Sequence, residues 1–299
     1  MLVLVGCDSN GDNDDSDNGS SNTITQVAQN TDDLSTLVTA LGTADLADDL
    51  DASGETFTVF APVNSAFTSI EADSLLTKDA LLNKVLTYHV VPGQAITSGQ
   101  ISDGQTVTTL EGSDLTFNVN GSSIEVNGAS VTSADIQASN GVVHLIDGVL
   151  LENTNVVERA SISPNFNILT DLVGRAGLAG ALSGPGPDGE DGLTVFAPTD
   201  QAFLDALDSD GSGVIEDDEI PANAGDILQY HVLDDVFFAA DVPTMETDLP
   251  TLEGSNVTVV RSGSDVSINP NADDASVVAP DVEVSNGVIH GIDTVLQIP

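Results

Sequence analysis

The sequence predicts an α+β fold made twice in tandem. Three observations predict it. A ten-residue block, Thr58-Val-Phe-Ala-Pro-Val-Asn-Ser-Ala-Phe67, returns as Thr194-Val-Phe-Ala-Pro-Thr-Asp-Gln-Ala-Phe203, so Phe60 and Phe196 stand 136 residues apart, the size of an ordinary domain. Three later blocks recur in the same order. Leu86–Val91 matches Leu228–Leu233 and Thr109–Ser113 matches Thr251–Ser255, both at an offset of 142, and Asn140–Asp147 matches Asn286–Asp293 at 146. In each copy, helical periodicity precedes the first block and β alternation follows the second. The changing offsets locate insertions in the second copy: six residues between Phe203 and Tyr230, and four more between Ser255 and Asn286.

Residues 1–22 contain Cys7 and then Asp8 to Asn22, a run of Asp, Asn, Ser and Gly with no large apolar residue. Such a run cannot bury enough surface to fold, and reads as a solvated, disordered acidic tether. The first domain is expected over 23–152. Leu34, Leu37, Val38, Leu41, Leu46 and Leu50 recur at helical spacing, broken at Gly42, and predict two short amphipathic helices. Thr58-Val-Phe is a β-branched and aromatic run, a buried strand that Pro62 ends because proline has no N–H for the ladder. Asn64 is expected to cap a helix entering Phe67. Leu75 to Leu86 predicts another helix, which delivers Tyr88 and His89. Beyond Pro92, alternation over Val107 to Val131, with Asn120-Gly121 and Asn127-Gly128 as turns, predicts antiparallel strands. The Val142–Leu151 strand closes the domain. Residues 153–163 read as a linker that limits mutual orientations. The second domain, 164–299, repeats the order with Ile168 to Leu182, a turn-rich loop at Gly184–Gly192, Pro198 and Asp200.

Forty-eight acids stand against five bases, Lys78, Lys84, Arg159, Arg175 and Arg261, for a net charge of −43. Such a chain repels itself at low salt; in molar salt, where the Debye length is about 3 Å, the repulsion is largely screened. The reading is a protein adapted to brine; the plainer alternative is an acidic secreted protein. Nucleic acid is excluded as a partner, since no basic patch exists to neutralise phosphates. Cys7 is the one cysteine, so no intrachain disulfide can form. No apolar run reaches the 18 or more residues that span a bilayer.

The blocks T-V-F-A-P-x-x-x-A-F, Y-H-V and N-G-V-[VI]-H-x-I-D, in this order and twice over, resemble the fasciclin domain family. The resemblance covers nearly everything from Thr23 to the C-terminus. It implies two fasciclin-like domains, each a wedge-shaped β-sandwich flanked by short α-helices, and a role in adhesion or extracellular recognition without attached chemistry. It also implies Tyr88-His89 and Tyr230-His231 as positions to probe for recognition, although the same residues can be plain core. Leu4-Val-Gly-Cys7 resembles a bacterial lipobox, with Cys7 the lipidated residue of a surface lipoprotein. Its preceding segment is short and lacks a basic start; a free cysteine is the alternative.

Asp208-Ser-Asp-Gly-Ser-Gly-Val-Ile-Glu-Asp-Asp-Glu219 is similar to the twelve-residue calcium loops of EF-hand and dockerin modules. A hard cation takes six to eight oxygens at about 2.3–2.6 Å, and alternate residues of a tight loop present them inward. Asp208, Asp210 and Ser212 stand at positions one, three and five. Val214 offers its carbonyl at seven, Glu216 acts through water, and Glu219 closes the set bidentately. Gly213 permits the turn and Ile215 supplies a small apolar contact. Pro221 restricts an exiting helix, and no second calcium loop is present to pair with it. One structural calcium ion is therefore expected in the second domain, inside the first insertion.

The four histidines form repeat-equivalent pairs, His89 with His231 and His144 with His290. Each is set among apolar residues with no nucleophile beside it, so a hydrogen-bonded core histidine is the better reading than a metal or base role. No phosphate loop, zinc spacing or G-x-S-x-G elbow occurs. The expected function is non-enzymatic adhesion at the cell surface or in the periplasm, toward an extracellular protein or polysaccharide, with a membrane reached only through a lipid on Cys7. The alternative is a receptor holding a small ligand or glycan between the domains.

Overall fold

The structure is a computed structural model that describes residues 22–51, 54–184, 192–269, 271 and 273–299. Cys7, the acidic tether up to residue 21 and most of the 184–192 loop lie outside the described residues. The first domain opens with helices α1 (Ile24–Gln29), α2 (Ser35–Thr43) and α3 (Ala47–Leu50), then strand β1 (Phe57–Pro62). A 3-10 helix and α4 (Ala72–Leu76) lead to α5 (Asp79–Tyr88). Strands β2 (Val90–Pro92), β3 (Thr106–Thr108), β4 (Asp114–Asn120), β5 (Ser123–Val126), β6 (Ala129–Ala138) and β7 (Gly141–Ile146) follow. The second domain repeats the plan: α6 (Val156–Ala160), α7 (Asn167–Arg175), α8 (Ala179–Leu182), β8 (Leu193–Pro198), α9 (Asp200–Leu207), α10 (Ala224–Tyr230) and β9 (Val232–Leu233). Its sheet is completed by β10 (Thr247–Pro250), β11 (Asn256–Ser262), β12 (Asp265–Ile268), β13 (Ala275–Val284) and β14 (Gly287–Ile292).

Each domain holds one seven-stranded sheet, in the orders β2-β1-β7-β6-β5-β4-β3 and β10-β11-β12-β13-β14-β8-β9. The motif strand β1 runs parallel to β7, with Phe60 opposite His144, and β8 runs parallel to β14, with Phe196 opposite His290. Both motif strands are buried along their whole length and end at Pro62 and Pro198. The sheet is not flat. Phe60 and Phe117 have ring centroids 5.5 Å apart, yet their strands are four places apart in the sheet order, which would separate them by roughly 19 Å if it were flat. The sheet therefore curls over an inner core of Phe60, Tyr88, Leu115, Phe117 and Val126. Register shifts in β6 and β13, where Asp135 and Asp281 adopt positive φ, are the bulges that bend it. Helices α1 to α5 bury a second core against the outer face, around Leu34, Leu82, Val85 and Val143.

Two local expectations are corrected. Asn64 and Asp200 do not cap the helices that follow them: Val63 begins the 3-10 helix without a side-chain bond, and Thr199 caps α9. Instead, Asn64 Oδ1 accepts from Thr36 N at the start of α2 (2.9 Å), and Asp200 Oδ1 accepts from Ile168 N at the start of α7 (2.8 Å). The pair caps helices distant in sequence, which no local pattern reports. The expected linker 153–163 is also more than a tether. It carries α6, capped reciprocally by Asn155 and Glu158, with Val156 and Ala160 buried in the second domain's core. Two residues beyond α6, Ile162 is fully buried in the first domain's core, and its carbonyl accepts from Glu71 N. Lys84 on α5 pairs with Glu158 on α6 at 2.8 Å. The junction is thus packed from both sides.

Candidate functional site

The recurring motifs are occupied in holding the fold. Asn140 Oδ1 accepts from Ile24 N, and its Nδ2 donates to Leu50 O, so one side chain ties the start of α1 and the end of α3 to the sheet. Asn286 does the same with Val156 N, Leu182 O and Gly184 O. The following glycine is required: a Cβ at Gly141 would lie 2.0 Å from Phe57 O, and one at Gly287 1.9 Å from Leu193 O. His144 Nδ1 accepts from Asp135 N at the bulge while its Nε2 donates to Ile96 O (2.8 Å); His290 repeats this with Asp281 N and Phe237 O.

His89 and His231 belong to the same scaffold. Each donates from Nδ1 to the carbonyl one turn back, Val85 or Ile227, and accepts at Nε2 from Leu150 N or Leu296 N. Burial lowers both pKa values to about 4, so the imidazoles are neutral. Tyr88 and Tyr230 donate to Asp114 O and Asn256 O and accept from Asn127 and Asn269. All four of these side chains are at most 3% exposed. The positions implied for recognition therefore present no surface of their own, because burial and paired polar atoms fix them inside. Any recognition that depends on them acts through what they support. Tyr88 also lines the cleft at the domain junction.

The inserted loop lies between α9 and α10. Asp208 accepts from the backbone N–H groups of Gly211, Ser212 and Gly213, and Asp210 from Ser212 N. Glu219 folds back, Oε1 accepting from Ser209 N and Oγ (both 2.7 Å) and Oε2 from Glu216 N. Ser212 Oγ reaches Val214 O at 2.9 Å and Glu216 at 3.3 Å. One carboxylate oxygen each of Asp208, Asp210 and Glu219 falls within 4.8 Å of the others. That matches oxygens on a calcium sphere, whose diameter is about 4.6–5.2 Å. Ser209's hydrogen bonds hold the Glu219 carboxyl below its usual range, while the neighbouring Glu219 pushes Glu216 up. Arg175 on α7 pairs with Asp217 and Asp171, holding the loop against the helix layer. Ile215 is half-buried, and turns, not a helix, lead from Glu219 to Pro221. The donor set fits a hard cation; the surrounding helix-loop-helix is absent.

A cleft of about 720 Å³ opens at the domain junction, beside Tyr88, Asn127 and Glu152 from the first domain and Arg159 on α6, Asp281 and Glu283 from the second. The sequence allows a ligand between the domains but names none of these residues for it, because they come from six separated segments. The only signal available was Arg159, one of five bases in a polyanion.

A family model described as the fasciclin domain matches residues 32–152 and 164–299. Both matches begin just after the first helix of each domain. Protein sll1483 of Synechocystis sp. is 50% identical over 135 residues, 43% of this chain and 73% of that protein. Transforming growth factor-beta-induced protein ig-h3 of Sus scrofa is 32% identical over 251 residues, 80% of this chain and 34% of that protein. Periostin of Homo sapiens is 37% identical over 179 residues, 58% of this chain and 20% of that protein. The chain thus spans about a third or less of these last two relatives. A solved FAS1 domain pair from the insect cell adhesion molecule fasciclin I covers 89% of this chain and 97% of its own, at 22% identity and a TM-score of 0.44. With both halves matched from motif strand to closing strand, the chain belongs to the fasciclin domain family.

Proposed function

We propose that this protein is a non-enzymatic adhesion or recognition module of the cell surface, built for saline surroundings and carrying one structural calcium ion in its second domain. Family membership supports the adhesive role, and the carrying observation is where the motif residues lie. The motif asparagines, glycines and histidines lock helices and bulges inside each domain, with the histidines neutral and buried. What varies between the copies is on the outside, and the largest such difference is the loop 208–219. Its oxygens support a calcium staple of extracellular type, with Kd about 10⁻⁴–10⁻³ M. The −43 charge supports a salt-rich setting. Cys7 is the proposed lipid anchor; multiple acylation there would hold the protein at a membrane stably. Among the described residues no helix is long and apolar enough to cross a membrane. Beads coated with the chain should aggregate or capture surface polysaccharide or surface protein in molar salt. Beads that stay dispersed and capture neither, with and without calcium, would overturn the adhesive reading.

A second reading, a receptor that holds a small ligand or glycan between the domains, is favoured by the cleft at the junction.

A further inference from the structure

Resting on that second reading, we infer that the junction cleft binds a neutral saccharide of about two to three rings, anchored by Arg159. The starting point is an imbalance. Four of the five basic side chains donate to partners: Lys78 to Ser74, Lys84 to Glu158, Arg175 to Asp171 and Asp217, and Arg261 to Val242 O and Gly263 O. Arg159 differs. Its Nη1 is buried without a hydrogen-bond partner among the described residues, and burial pulls the guanidinium pKa down. Glu152 attracts it through space but forms no ion pair with it, and the Glu152 carboxyl is itself pushed up by burial. A buried charged donor left unpaired is destabilising, and in a chain with 48 acids a pairing carboxylate is easily supplied. The unpaired donor belongs to a side chain that lines the cleft, where the guanidinium can meet an acceptor that arrives from outside.

The lining restricts what that acceptor belongs to. Asp114, Glu152, Asp281 and Glu283 face the same space, and Asn127 adds an amide. A net anion would be repelled by these carboxylates and by the whole −43 chain. A simple cation would be attracted but would leave Arg159 unpaired and repelled. A neutral polyhydroxy ligand satisfies both halves, since a hydroxyl can donate to a carboxylate while another, or the same one, accepts from the guanidinium. Val149, Leu151 and Val282 supply an apolar wall for the C–H faces of a sugar ring. The volume is in the range of small-molecule sites, about 300–1,000 Å³. The first domain's tyrosine corner lines this cleft: the Asn127 amide meets the Tyr88 hydroxyl and reaches Glu152. In the second, the Asn269 amide that meets Tyr230 donates to Asp273, and the C-terminal Gln297 N donates to the same carboxylate.

The test is calorimetric titration of the full chain in molar salt with four probes: neutral di- and trisaccharides, a uronate oligosaccharide, a free α-amino acid, and choline. Binding of the neutral saccharides is expected. Arg159→Met should weaken it about ten- to a hundredfold, the loss of a charge-assisted bond, without lowering the melting temperature, since the unpaired charge goes with the side chain. Thr116→Trp on exposed β4 narrows the mouth while leaving Arg159 in place, and should weaken binding independently. Binding of only the amino acid or choline, still lost in both variants, overturns the saccharide class and leaves the receptor reading standing. Binding of no probe, or saccharide binding unchanged in both variants, overturns both.

Discussion

An alanine at Gly141 would drive its Cβ into the Phe57 carbonyl, 2.0 Å away, at φ +153°. Nothing soft yields there, because the obstacle is the backbone of the motif strand. Gly141→Ala is therefore expected to destabilise the first domain by more than about 3 kcal/mol, read as an early denaturant transition confined to that domain; a loss below about 1 kcal/mol would contradict the packing described. The buried histidines make a pH prediction. Their folded pKa of about 4 is depressed from 6.5, so the unfolded chain takes up protons that the folded chain refuses. Their stabilising effect is complete above about pH 6.5 and is lost as the pH falls toward 4, by about 2 kcal/mol each at pH 5. Measured in molar salt, where carboxylate repulsion is screened, the melting temperature should fall from pH 7 to 5. His89→Gln with His231→Gln should start lower at pH 7 but flatten that slope. An unchanged slope would mean that other groups carry it.

Among the elements, α6 decides where the second domain begins. Val156 and Ala160 lie in its core, and Asn286 accepts from Val156 N, as Asn140 does for α1. A fragment covering 153–299 should be more stable than one covering 164–299 by roughly 3–5 kcal/mol, from the apolar side chains and capped backbone lost. Equal stability would return this stretch to the status of a linker. The same helix shows why sequence reading reached only part of the fold. The tandem plan, the motif strands, their proline ends and the β-turns are local or repeated patterns, and these were legible. Helix α6 was missed because five residues give too short a period to see, and because its equivalence to α1 lies outside the matched blocks. The tertiary caps of Asn64 and Asp200 and the residues lining the Arg159 cleft were missed because they join segments far apart in the chain. The clustering of Asp208, Asp210 and Glu219 was legible as a spacing of oxygens, whereas the lack of an exiting helix had only Pro221 as its sign.

Over the whole molecule, charge sets the conditions in which everything else works. With a net −43, raising ionic strength from about 0.1 M to 1 M shortens the Debye length from about 10 Å to 3 Å. The melting temperature should therefore rise with potassium chloride well beyond the small shifts of a balanced protein; a flat response would argue for an ordinary acidic protein. Motifs fix two alike bodies, the junction packs them through α6 and Ile162, and the differences between copies are left to loops and to the cleft. Within that division the inserted loop carries the most specific chemistry. The measurement that tests it most directly is calcium titration of the full chain by calorimetry at fixed molar salt. One ion per chain is predicted, with Kd about 10⁻⁴–10⁻³ M, a stabilisation near 1.4 kcal/mol at ten times that concentration, and loss of both in Asp208→Asn with Glu219→Gln. No binding heat and no change in melting temperature on adding calcium or chelator would contradict it.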